Sequence, residues 1–492
     1  MGDDGLLTDR QLRSWLRCRR RAWLDRHGDP ADRRWNTHRE LQLLERERRL
    51  APWLPANRAG DPRPAGEQLA AGPEAVPQLL LRRGPWRGRP TLLLRRPGAS
   101  RLGAFGYVPV LLQPGRHGTR EHRLTLAFWG RLLEPVLGRS PGEGLLLDDR
   151  GGRERVRLDG SLQPQLDQAL ERLGRERDQG EPPELTSDRR KCVLCCWRRS
   201  CDRVAEAEGH LSQVSGIGGK RREQLQTLGI VDRAALAGTD GPWLMDRLEQ
   251  QGERRPELAL ELIAQARCQE QGRPERLDPG DPLPELAGAP GVLIYDIESD
   301  PDARDDFLHG FLPLSRRLNG RWPQPGETHG PKATGETVAR FHPLLALQEH
   351  GEARLWRRLR TLLQRYPSWP VLHYGETESI NLLRLAERQG ASPSERQVLK
   401  DRLIDVHQRV RQHWLLPVNS YGLKAVAGWR GFRWSQSGVD GARCLLWWRQ
   451  WRLGVRTAAR SRHQLRRIFT YNRDDCLATW AVAAWLLEQD ES

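Results

Sequence analysis

Hydrophobic residues at helical spacing open the chain. Leu12, Trp15 and Leu16 recur on one face of a predicted helix. Thr8, with Gln11 three residues later, forms a capping-box pattern at the start of that helix, where side chains satisfy backbone N–H groups. The pattern predicts an amphipathic helix from about residue 8.

The spacing changes further along the chain. Short apolar runs at 92–94 and 107–112 predict strands, and the stretch from about Arg120 to Leu137 predicts a helix. A stretch rich in Pro, Gly and Ala at 52–77 predicts a loose insertion, and a Pro- and Gly-rich stretch at 272–290 predicts a linker.

Strands alternate with helices from residue 291 onward, which predicts an α/β domain. The length of 492 residues allows roughly three domains. We expect an α/β multidomain protein with the following parts: an N-terminal domain at 1–205, a helix-hairpin-helix at 206–245, a helix and linker at 246–290, and a C-terminal domain at 291–492.

The net charge is strongly positive. Lys plus Arg number 80 and Asp plus Glu number 64, which gives +16 at pH 7. Such an excess favours a polyanionic partner, usually nucleic acid. A genome-wide preference for arginine explains the charge equally well, so charge supports a nucleic-acid partner without establishing it.

The sequence pattern predicts neither a membrane span nor a signal peptide. No apolar run approaches the roughly 18 residues of a membrane span, and the first residues lack the basic and apolar regions of a signal peptide. Four of the eight cysteines lie between Cys192 and Cys201. In a reducing compartment such a cluster is typical of metal binding. We expect a soluble, cytoplasmic protein.

Two acidic residues end the first strand of the C-terminal domain. Asp296 and Glu298 project from one face because a strand has a period of two. Two carboxylates at such a short distance repel each other unless cations lie between them. This arrangement suits paired Mg²⁺ or Mn²⁺. The alternative is a strand that simply ends in exposed acids.

Further carboxylates follow at helical positions. Glu378 falls in the first turn of a predicted helix, where the helix dipole favours a negative charge. Tyr471 and Asp475 are i and i+4 on a later helix and therefore share a face. Asp474 points elsewhere, and we expect it to be a solvated charge.

These motifs resemble the three exonuclease motifs of DEDD enzymes, and most closely the ribonuclease H-like domain of the YprB type. Leu403-Ile-Asp405 and Ser420-Tyr-Gly-Leu-Lys424 add to the resemblance. It implies a 3′–5′ exonuclease with two Mg²⁺ or Mn²⁺ ions. The residues that it assigns to the metals are Asp296, Glu298, Glu378 and Asp475, with Tyr471 orienting the attacking water.

Two details of that resemblance stay open. Glu378 stands where Asp is usual in the wider superfamily, and its longer arm is expected to shift the second metal. Asp405 is either a further member of the site or an acid flanking a helix.

The cysteine cluster has a split spacing. Cys18 lies far upstream of Cys192, Cys195 and Cys201, and four thiolates suit tetrahedral zinc or an iron–sulfur cluster about equally. The spacing resembles RecB-type nucleases with a [4Fe–4S] cluster, including CRISPR-associated exonucleases, and this resemblance favours iron–sulfur over Zn²⁺. The other four cysteines are expected to be a spare thiol, Cys196, and small buried groups, Cys268, Cys444 and Cys476.

The same resemblance implies a PD-(D/E)XK site that this sequence does not supply. Thr91 stands where the family has an aspartate, and Leu111 and Gln113 replace the second acid and the lysine. Without carboxylates a divalent ion has no ligands there. We expect a nuclease fold that is retained for binding and is no longer catalytic.

A short glycine-punctuated segment predicts a helix-hairpin-helix. Gly216 and Gly218 let the backbone approach a phosphate, and Lys220, Arg221 and Arg222 add positive charge. The alternative is a plain helix-packing unit with the same pattern.

Taken together, the parts resemble one family of RecB-like nucleases over almost the whole chain. The resemblance implies nucleic acid as partner, DNA more than RNA, a role in repair or processing, and a superfamily I helicase as a further partner. Two rival hypotheses are a non-catalytic iron–sulfur scaffold that binds nucleic acid, and a RecB-type nuclease that acts through the N-terminal domain.

Overall fold

The computed structural model divides the chain into two compact units, Met1–Val204 and Ala205–Ser492. It describes residues 6–53, 63–113, 118–148, 151–186, 189–301, 303, 305–328, 340–347, 351–454 and 458–488. Within these residues, no helix has the length and apolar character needed to cross a membrane.

Unit 1 is built on a mixed sheet. Its strands are β1 (Leu7–Thr8), β2 (Ala75–Pro77), β3 (Leu81–Arg83), β4 (Trp86–Gly88), β5 (Leu92–Ser100), β6 (Gly103–Leu112), β7 (Glu143–Leu147) and β8 (Arg153–Arg157). Its helices are α1 (Asp9–Arg17), α2 (Arg19–His27), α3 (Thr37–Leu50), α4 (Ala65–Ala70), α5 (Arg120–Leu137), α6 (Leu162–Glu176) and α7 (Arg198–Ala207), the last of which continues past the division.

The five-stranded sheet of unit 1 has the order β2-β5-β6-β7-β8. Strands β6 and β7 are parallel and the other pairs are antiparallel. Helix α5 makes the crossover between the two parallel strands, and its predicted bounds are confirmed. The described part of the stretch at 52–77 is not a loose insertion, because it forms α4 and, at its end, β2, the edge strand of this sheet; residues 54–62 lie outside the described residues.

The predicted N-terminal helix is confirmed as α1. The Thr8 side chain accepts a hydrogen bond from the Gln11 backbone, and the Gln11 side chain accepts from the Thr8 backbone N–H. This capping box satisfies N–H groups that a helix start leaves without partners.

Unit 2 contains a second mixed sheet and most of the helices. Its strands are β9 (Glu275–Arg276), β10 (Gly291–Asp300), β11 (Asp305–Ser315), β12 (His342–Leu345), β13 (Val371–His373), β14 (Leu403–Asp405) and β15 (Trp414–Leu415). Its helices are α8 (Gly219–Thr227), α9 (Arg233–Ala237), α10 (Gly241–Gln250), α11 (Leu258–Gln271), α12 (Glu352–Arg365), α13 (Glu376–Arg388), α14 (Pro393–Arg402), α15 (Val406–His413), α16 (Leu423–Trp429), α17 (Gly441–Arg452) and α18 (Ala458–Glu488).

The main sheet of unit 2 has the order β12-β11-β10-β13-β14. Strand β10 lies at its centre, antiparallel to β11 and parallel to β13. Alternate residues of β10 enter two different cores. Val292 and Ile294 pack in a core with residues of α18, whereas Leu293 and Tyr295 pack in a core with residues of α12 and α13. The sheet therefore separates two helical layers, and β10 is buried on both faces.

The stretch at 272–290 is not a free linker. It contains β9, which pairs with β15, and its Leu283 and Leu286 are fully buried in the same core as β10. The burial of two leucines and the pairing of β9 with β15 fix this segment within unit 2.

Helices α8 to α11 form a small subdomain with its own apolar core. Buried hydrogen bonds join it to the segment that carries β15. Gln265 Nε2 donates to the Leu416 carbonyl at 2.9 Å, and the Tyr421 hydroxyl donates to Gln265 Oε1 at 2.9 Å. The same hydroxyl accepts from the Leu416 N–H at 2.9 Å.

Replacing Tyr421 by Phe should therefore lower the free energy of unfolding of unit 2. The change leaves Gln265 Oε1 and the Leu416 N–H buried without this partner, which costs about 1–3 kcal/mol. Urea unfolding of the full chain, followed by tryptophan fluorescence, measures the shift. Tyr366→Phe is the matched control, because its hydroxyl has no hydrogen bond within the described residues. Equal midpoints for the two variants would refute the structural role of the Tyr421 hydroxyl.

Candidate metal centre

Three carboxylates of unit 2 converge at the end of β10. Asp296 and Glu298 lie at alternate positions of that strand, and Asp475 comes from α18. One oxygen atom of each lies within 4.8 Å of the corresponding oxygens of the other two. Asp296 is half-buried, whereas Glu298 and Asp475 are 7% and 8% exposed. The sequence predicted these three acids as neighbours, and the fold brings them together.

Asp475 is held in place by neutral donors. Trp434 Nε1 donates to Asp475 Oδ1 at 2.6 Å, and Tyr471, one helical turn earlier, also forms a hydrogen bond with the Asp475 carboxylate. Burial, followed by the charge of Asp475, raises the pKa of Tyr471, so the phenol stays protonated. Trp434 was not expected from the sequence, because its loop is brought to α18 only by tertiary packing.

Asp296 is held by Asn472, a further residue that the sequence reasoning missed. Asn472 Nδ2 donates to Asp296 Oδ2 at 2.5 Å, and its side chain also forms a hydrogen bond with Glu298. The residue opposite Asp296 on β11 is Gly310, and a Cβ there would overlap the Asn472 amide. Gly310 therefore makes room for the amide that orients both strand carboxylates.

Glu378 lies beside this group without belonging to the set of mutually close oxygens. It occupies the first turn of α13, as predicted, and is 9% exposed. Its Oε2 is buried without a hydrogen-bond partner. Burial and the charges of Asp405, Asp475 and Asp306 raise the pKa of Glu378 to about 8. A buried carboxylate oxygen with no donor is suited to a ligand that the protein itself does not provide.

Asp405 accepts hydrogen bonds from backbone N–H groups. Its Oδ1 accepts from the Gly375 N–H at 2.8 Å and from the His407 N–H at 2.9 Å, which caps α15. Gly375 is the N-cap residue of α13 and has a φ of +105°. In these contacts Asp405 is a helix-flanking acid, and the contacts also fix the start of the helix that carries Glu378.

Electrostatic repulsion dominates the site. Burial and the negative charges of neighbouring carboxylates raise the pKa of Asp296 and of Glu298 well above the usual range. Burial also raises the pKa of Asp475, to about 6. Within the described residues, no lysine or arginine forms an ion pair with these three acids. By contrast, Asp300, two residues after Glu298, is paired with Arg449 through bonds of 2.8 and 2.6 Å.

The donor set fits hard divalent cations. Carboxylate oxygens are the preferred ligands of Mg²⁺ and Mn²⁺, and a cation would remove the repulsion that raises these pKa values. Asp296, Glu298 and Asp475 could hold such an ion, and the orphaned Glu378 Oε2 is available beside them.

Comparison with known families agrees with this geometry. A family model described as the RNase_H superfamily matches residues 328–487. The chain has a C-terminal RNase H superfamily domain. The matched range contains Glu378, Tyr471 and Asp475, whereas β10, with Asp296 and Glu298, precedes it. No curated protein matches the chain. The domain is consistent with a nuclease.

Asp474, next to Asp475 on α18, is not the solvated charge expected from the sequence. It is 1% exposed, and its Oδ2 accepts from the backbone N–H of Ser435 at 2.8 Å and from the Ser435 hydroxyl. Asp474 and Asp475 therefore anchor two successive residues of one loop, Ser435 and Trp434. The expectation failed because helical periodicity shows that Asp474 points away from Asp475 but not what covers it.

The four predicted cluster cysteines all lie in unit 1, outside the RNase H domain. Cys18 separates α1 from α2, Cys192 and Cys195 lie in and after a short 3-10 helix, and Cys201 lies in α7. Burial raises the pKa of Cys192 to about 11, and the neighbouring Cys18 and Cys201 also contribute. Cys18, Cys192 and Cys201 are thus electrostatic neighbours. No three cysteine sulfurs lie within 4.8 Å of one another within the described residues.

The other cysteines are buried. Cys268, Cys444 and Cys476 are packed in the interior, as expected from the sequence. Cys196 is also buried and forms a hydrogen bond with Cys195, which lowers the pKa of Cys196 to about 6.

The replaced PD-(D/E)XK positions are interior residues of unit 1. Thr91, Leu111 and Gln113 are each less than 5% exposed. The guanidinium of Arg49 donates to the backbone carbonyl of Leu147 at 2.8 Å and to that of Gln113 at 3.4 Å. A guanidinium therefore lies beside the backbone of Gln113, one of these three residues.

The hairpin residues lie at the start of α8 in unit 2. Gly216 has a φ of +91°, which favours glycine, and Gly218 is the N-cap residue of α8. Lys220 is exposed, whereas Arg222 is buried. Arg221 donates to the Gly216 carbonyl at 2.8 Å and lies 3.7 Å from Glu253. Of the three basic residues, Lys220 is the most exposed, and Arg221 is partly exposed beside Glu253.

The metal centre should destabilise the protein when no ion is bound. The folded-state pKa values of Asp475 and Glu378 lie above those of an unfolded chain, about 4. The native state therefore binds extra protons, and stability from these groups falls as the pH rises from about 4 to about 8. In a chelator at pH 8, Asp296→Asn should raise the unfolding midpoint of unit 2 by about 3 °C or more, because 1 kcal/mol shifts a domain of this size by about 2–4 °C.

The advantage of Asp296→Asn should shrink at pH 5 and reverse when Mn²⁺ is added. Thermal unfolding measured by circular dichroism tests this, with the exposed Glu223→Gln as control. An Asp296→Asn variant that is less stable than the wild type in chelator at pH 8 would contradict the repulsion.

Proposed function

We propose that the chain is a metal-dependent nuclease that hydrolyses phosphodiester bonds in DNA or RNA, as a 3′–5′ exonuclease. The single observation that carries this proposal is the convergence of Asp296, Glu298 and Asp475, buried together with no paired lysine or arginine within the described residues. Repulsion of this kind is costly and is relieved by divalent cations. The RNase H superfamily domain supports the same chemistry.

The acids have distinct positions in this proposal. Asp296 and Glu298 would hold ions from β10, Asp475 from α18, and Glu378 from the first turn of α13. Ions bound there would supply an activated water and stabilise the negative charge on the leaving 3′ oxygen. Tyr471 keeps its proton and lies at Asp475, where its hydroxyl oxygen can accept a hydrogen bond from the attacking water and orient it.

Substrate binding is proposed for the hairpin. Gly216 and Gly218 let the backbone of the α8 start approach a phosphate, and the exposed Lys220 adds a positive charge. The net charge of +16 supports a nucleic-acid substrate, for which we favour DNA.

Unit 1 is proposed to bind rather than to cut. Thr91 and Leu111 stand at the positions of the two expected acids, and Gln113 stands at that of the expected lysine, all three in the interior. We propose that Cys18, Cys192, Cys195 and Cys201 hold a [4Fe–4S] cluster. Sulfurs around a single zinc ion lie about 3.8 Å apart, since each is about 2.3 Å from the metal. Within the described residues no three of these sulfurs lie within 4.8 Å of one another, which does not match a closed zinc site, and the nearby charges of Arg20 and Arg189 act to lower the pKa of Cys201.

A cleavage assay tests the nuclease proposal. With Mn²⁺, the full chain should shorten a single strand from its 3′ end, and Asp296→Ala should reduce the rate about a hundredfold or more, because a metal ligand is lost. Strands labelled at the 5′ end show the polarity as a ladder of shortened products. Asp401→Ala, an exposed acid of α14, is the control and should cleave normally.

Two outcomes would count against the assignment. Cleavage by Asp296→Ala within a few fold of the wild type would place the chemistry elsewhere, including unit 1. Binding of nucleic acid with no cleavage by the wild type would favour a non-catalytic scaffold.

A spectroscopic measurement tests the cluster. Protein purified without oxygen should be brown and contain about four irons per chain, as a [4Fe–4S] cluster requires. Cys192→Ser should bleach the colour and destabilise unit 1, because cluster binding is coupled to folding. Cys268→Ser, in unit 2, should keep the colour. Stoichiometric zinc without iron would show the closed zinc site instead.

A further inference from the structure

A lysine of α16 reaches the carboxylates of the metal centre. Lys424 is the cation whose charge lowers the pKa of both Glu298 and Asp475. Its side chain is exposed overall, so the ammonium lies at the solvent-facing side of a largely buried acidic group.

The ammonium is held in one position by three contacts. Lys424 Nζ donates to the Val439 carbonyl at 3.0 Å, and it lies 5.0 Å from the centre of the Tyr471 ring and 5.8 Å from that of Trp434. Both rings also form hydrogen bonds with Asp475. A free lysine side chain samples many rotamers, so contacts of this kind fix a charge that would otherwise stay mobile.

The position of Lys424 is not explained by an ion pair. Within the described residues, Nζ lies beyond 4.0 Å from every carboxylate oxygen, although an ammonium next to acids would normally pair with one. An ammonium has three N–H donors, and the Val439 carbonyl uses one. Lys424 therefore keeps donors for an acceptor that enters between it and the carboxylates.

Charge balance identifies that acceptor. Two divalent cations neutralise the four carboxylates of the proposed centre, and a phosphodiester then adds one negative charge. Lys424 supplies the one positive charge that balances it. During in-line attack, negative charge grows on the phosphoryl oxygens, where a fixed donor stabilises the transition state more than the ground state.

We propose that Lys424 is a further catalytic residue, whose ammonium donates to a non-bridging oxygen of the phosphodiester that is hydrolysed. This inference rests on the proposed nuclease function. It assigns Lys424 to the substrate and not to the metals, and this difference makes it testable apart from a structural role.

The first test compares Lys424→Met, which keeps the length of the side chain and removes the charge, with Lys400→Met, an exposed lysine of α14. At saturating single-stranded DNA and Mn²⁺, Lys424→Met should lower the single-turnover rate about a hundredfold, in the range found for loss of one transition-state donor. Lys400→Met should leave the rate unchanged.

The second measurement is Mn²⁺ affinity by calorimetry without substrate. Lys424→Met should bind Mn²⁺ as tightly as the wild type or more tightly, because the variant lacks a positive charge that repels cations. Loss of Mn²⁺ binding together with activity would show that Lys424 only supports the fold of the centre, and would overturn the proposal.

The third measurement tests whether Lys424 interacts with the negative charge of the phosphate. With Ca²⁺ in place of Mn²⁺, binding of an oligonucleotide is compared with that of one whose 3′-terminal linkage is a neutral methylphosphonate. The wild type should bind the neutral analogue about tenfold more weakly or worse, and Lys424→Met should show a clearly smaller loss, because only the divalent cations then distinguish the charged linkage. An equal loss in both proteins overturns the inference.

The outcomes separate the two proposals. If the wild type cleaves and the cleavage rate of Lys424→Met is within threefold of it, Lys424 is not catalytic and the nuclease proposal stands. If the wild type does not cleave with Mn²⁺ and binds the methylphosphonate as tightly as the normal oligonucleotide, both proposals are wrong.

Discussion

Repulsion among buried carboxylates is the constraint on which the rest of the RNase H domain depends. Asp296, Glu298 and Asp475 are forced together because β10 is fixed at the centre of a sheet and α18 packs along it. Neutral donors, Asn472 and Trp434, orient the acids without cancelling their charge. The large apolar cores on both faces of the sheet hold the acids in this geometry, so the cost of the site is offset by burial elsewhere. A divalent cation bound there would relieve that cost.

Local periodicity was sufficient to predict part of this site. The period of two along a strand placed Asp296 and Glu298 on one face, and the i, i+4 spacing placed Tyr471 beside Asp475. Trp434, Asn472 and Lys424 were not predicted as site residues, because their roles depend on which loop or strand packs against α18. Asp474 was wrongly expected to be solvated for the same reason: the loop that covers it is distant in sequence.

The fold was predicted unevenly for similar reasons. Helix α5 was predicted with its observed bounds, because a capping residue and a long amphipathic pattern are both local signals. The stretches at 52–77 and 272–290 were taken as loose from their Pro and Gly content, yet one supplies an edge strand and the other two buried leucines. Composition indicates which conformation a segment prefers in isolation. In the folded protein, a neighbouring sheet edge or core determines whether the segment becomes a strand or is buried. The positions of the cysteines and of the hairpin residues in the fold are known, but the iron–sulfur cluster and phosphate binding remain predictions.

The central claim is that the carboxylates at the end of β10 form a divalent-metal centre. Anomalous diffraction at the manganese edge, from crystals of the full chain grown with Mn²⁺, tests it most directly because it locates the ion independently of activity. We predict manganese peaks in contact with Asp296, Glu298 and Asp475, with a second ion or ligand oxygen reaching Glu378, and no such peaks in Asp296→Asn. Well-ordered carboxylates with no manganese between them at saturating Mn²⁺ would contradict the account.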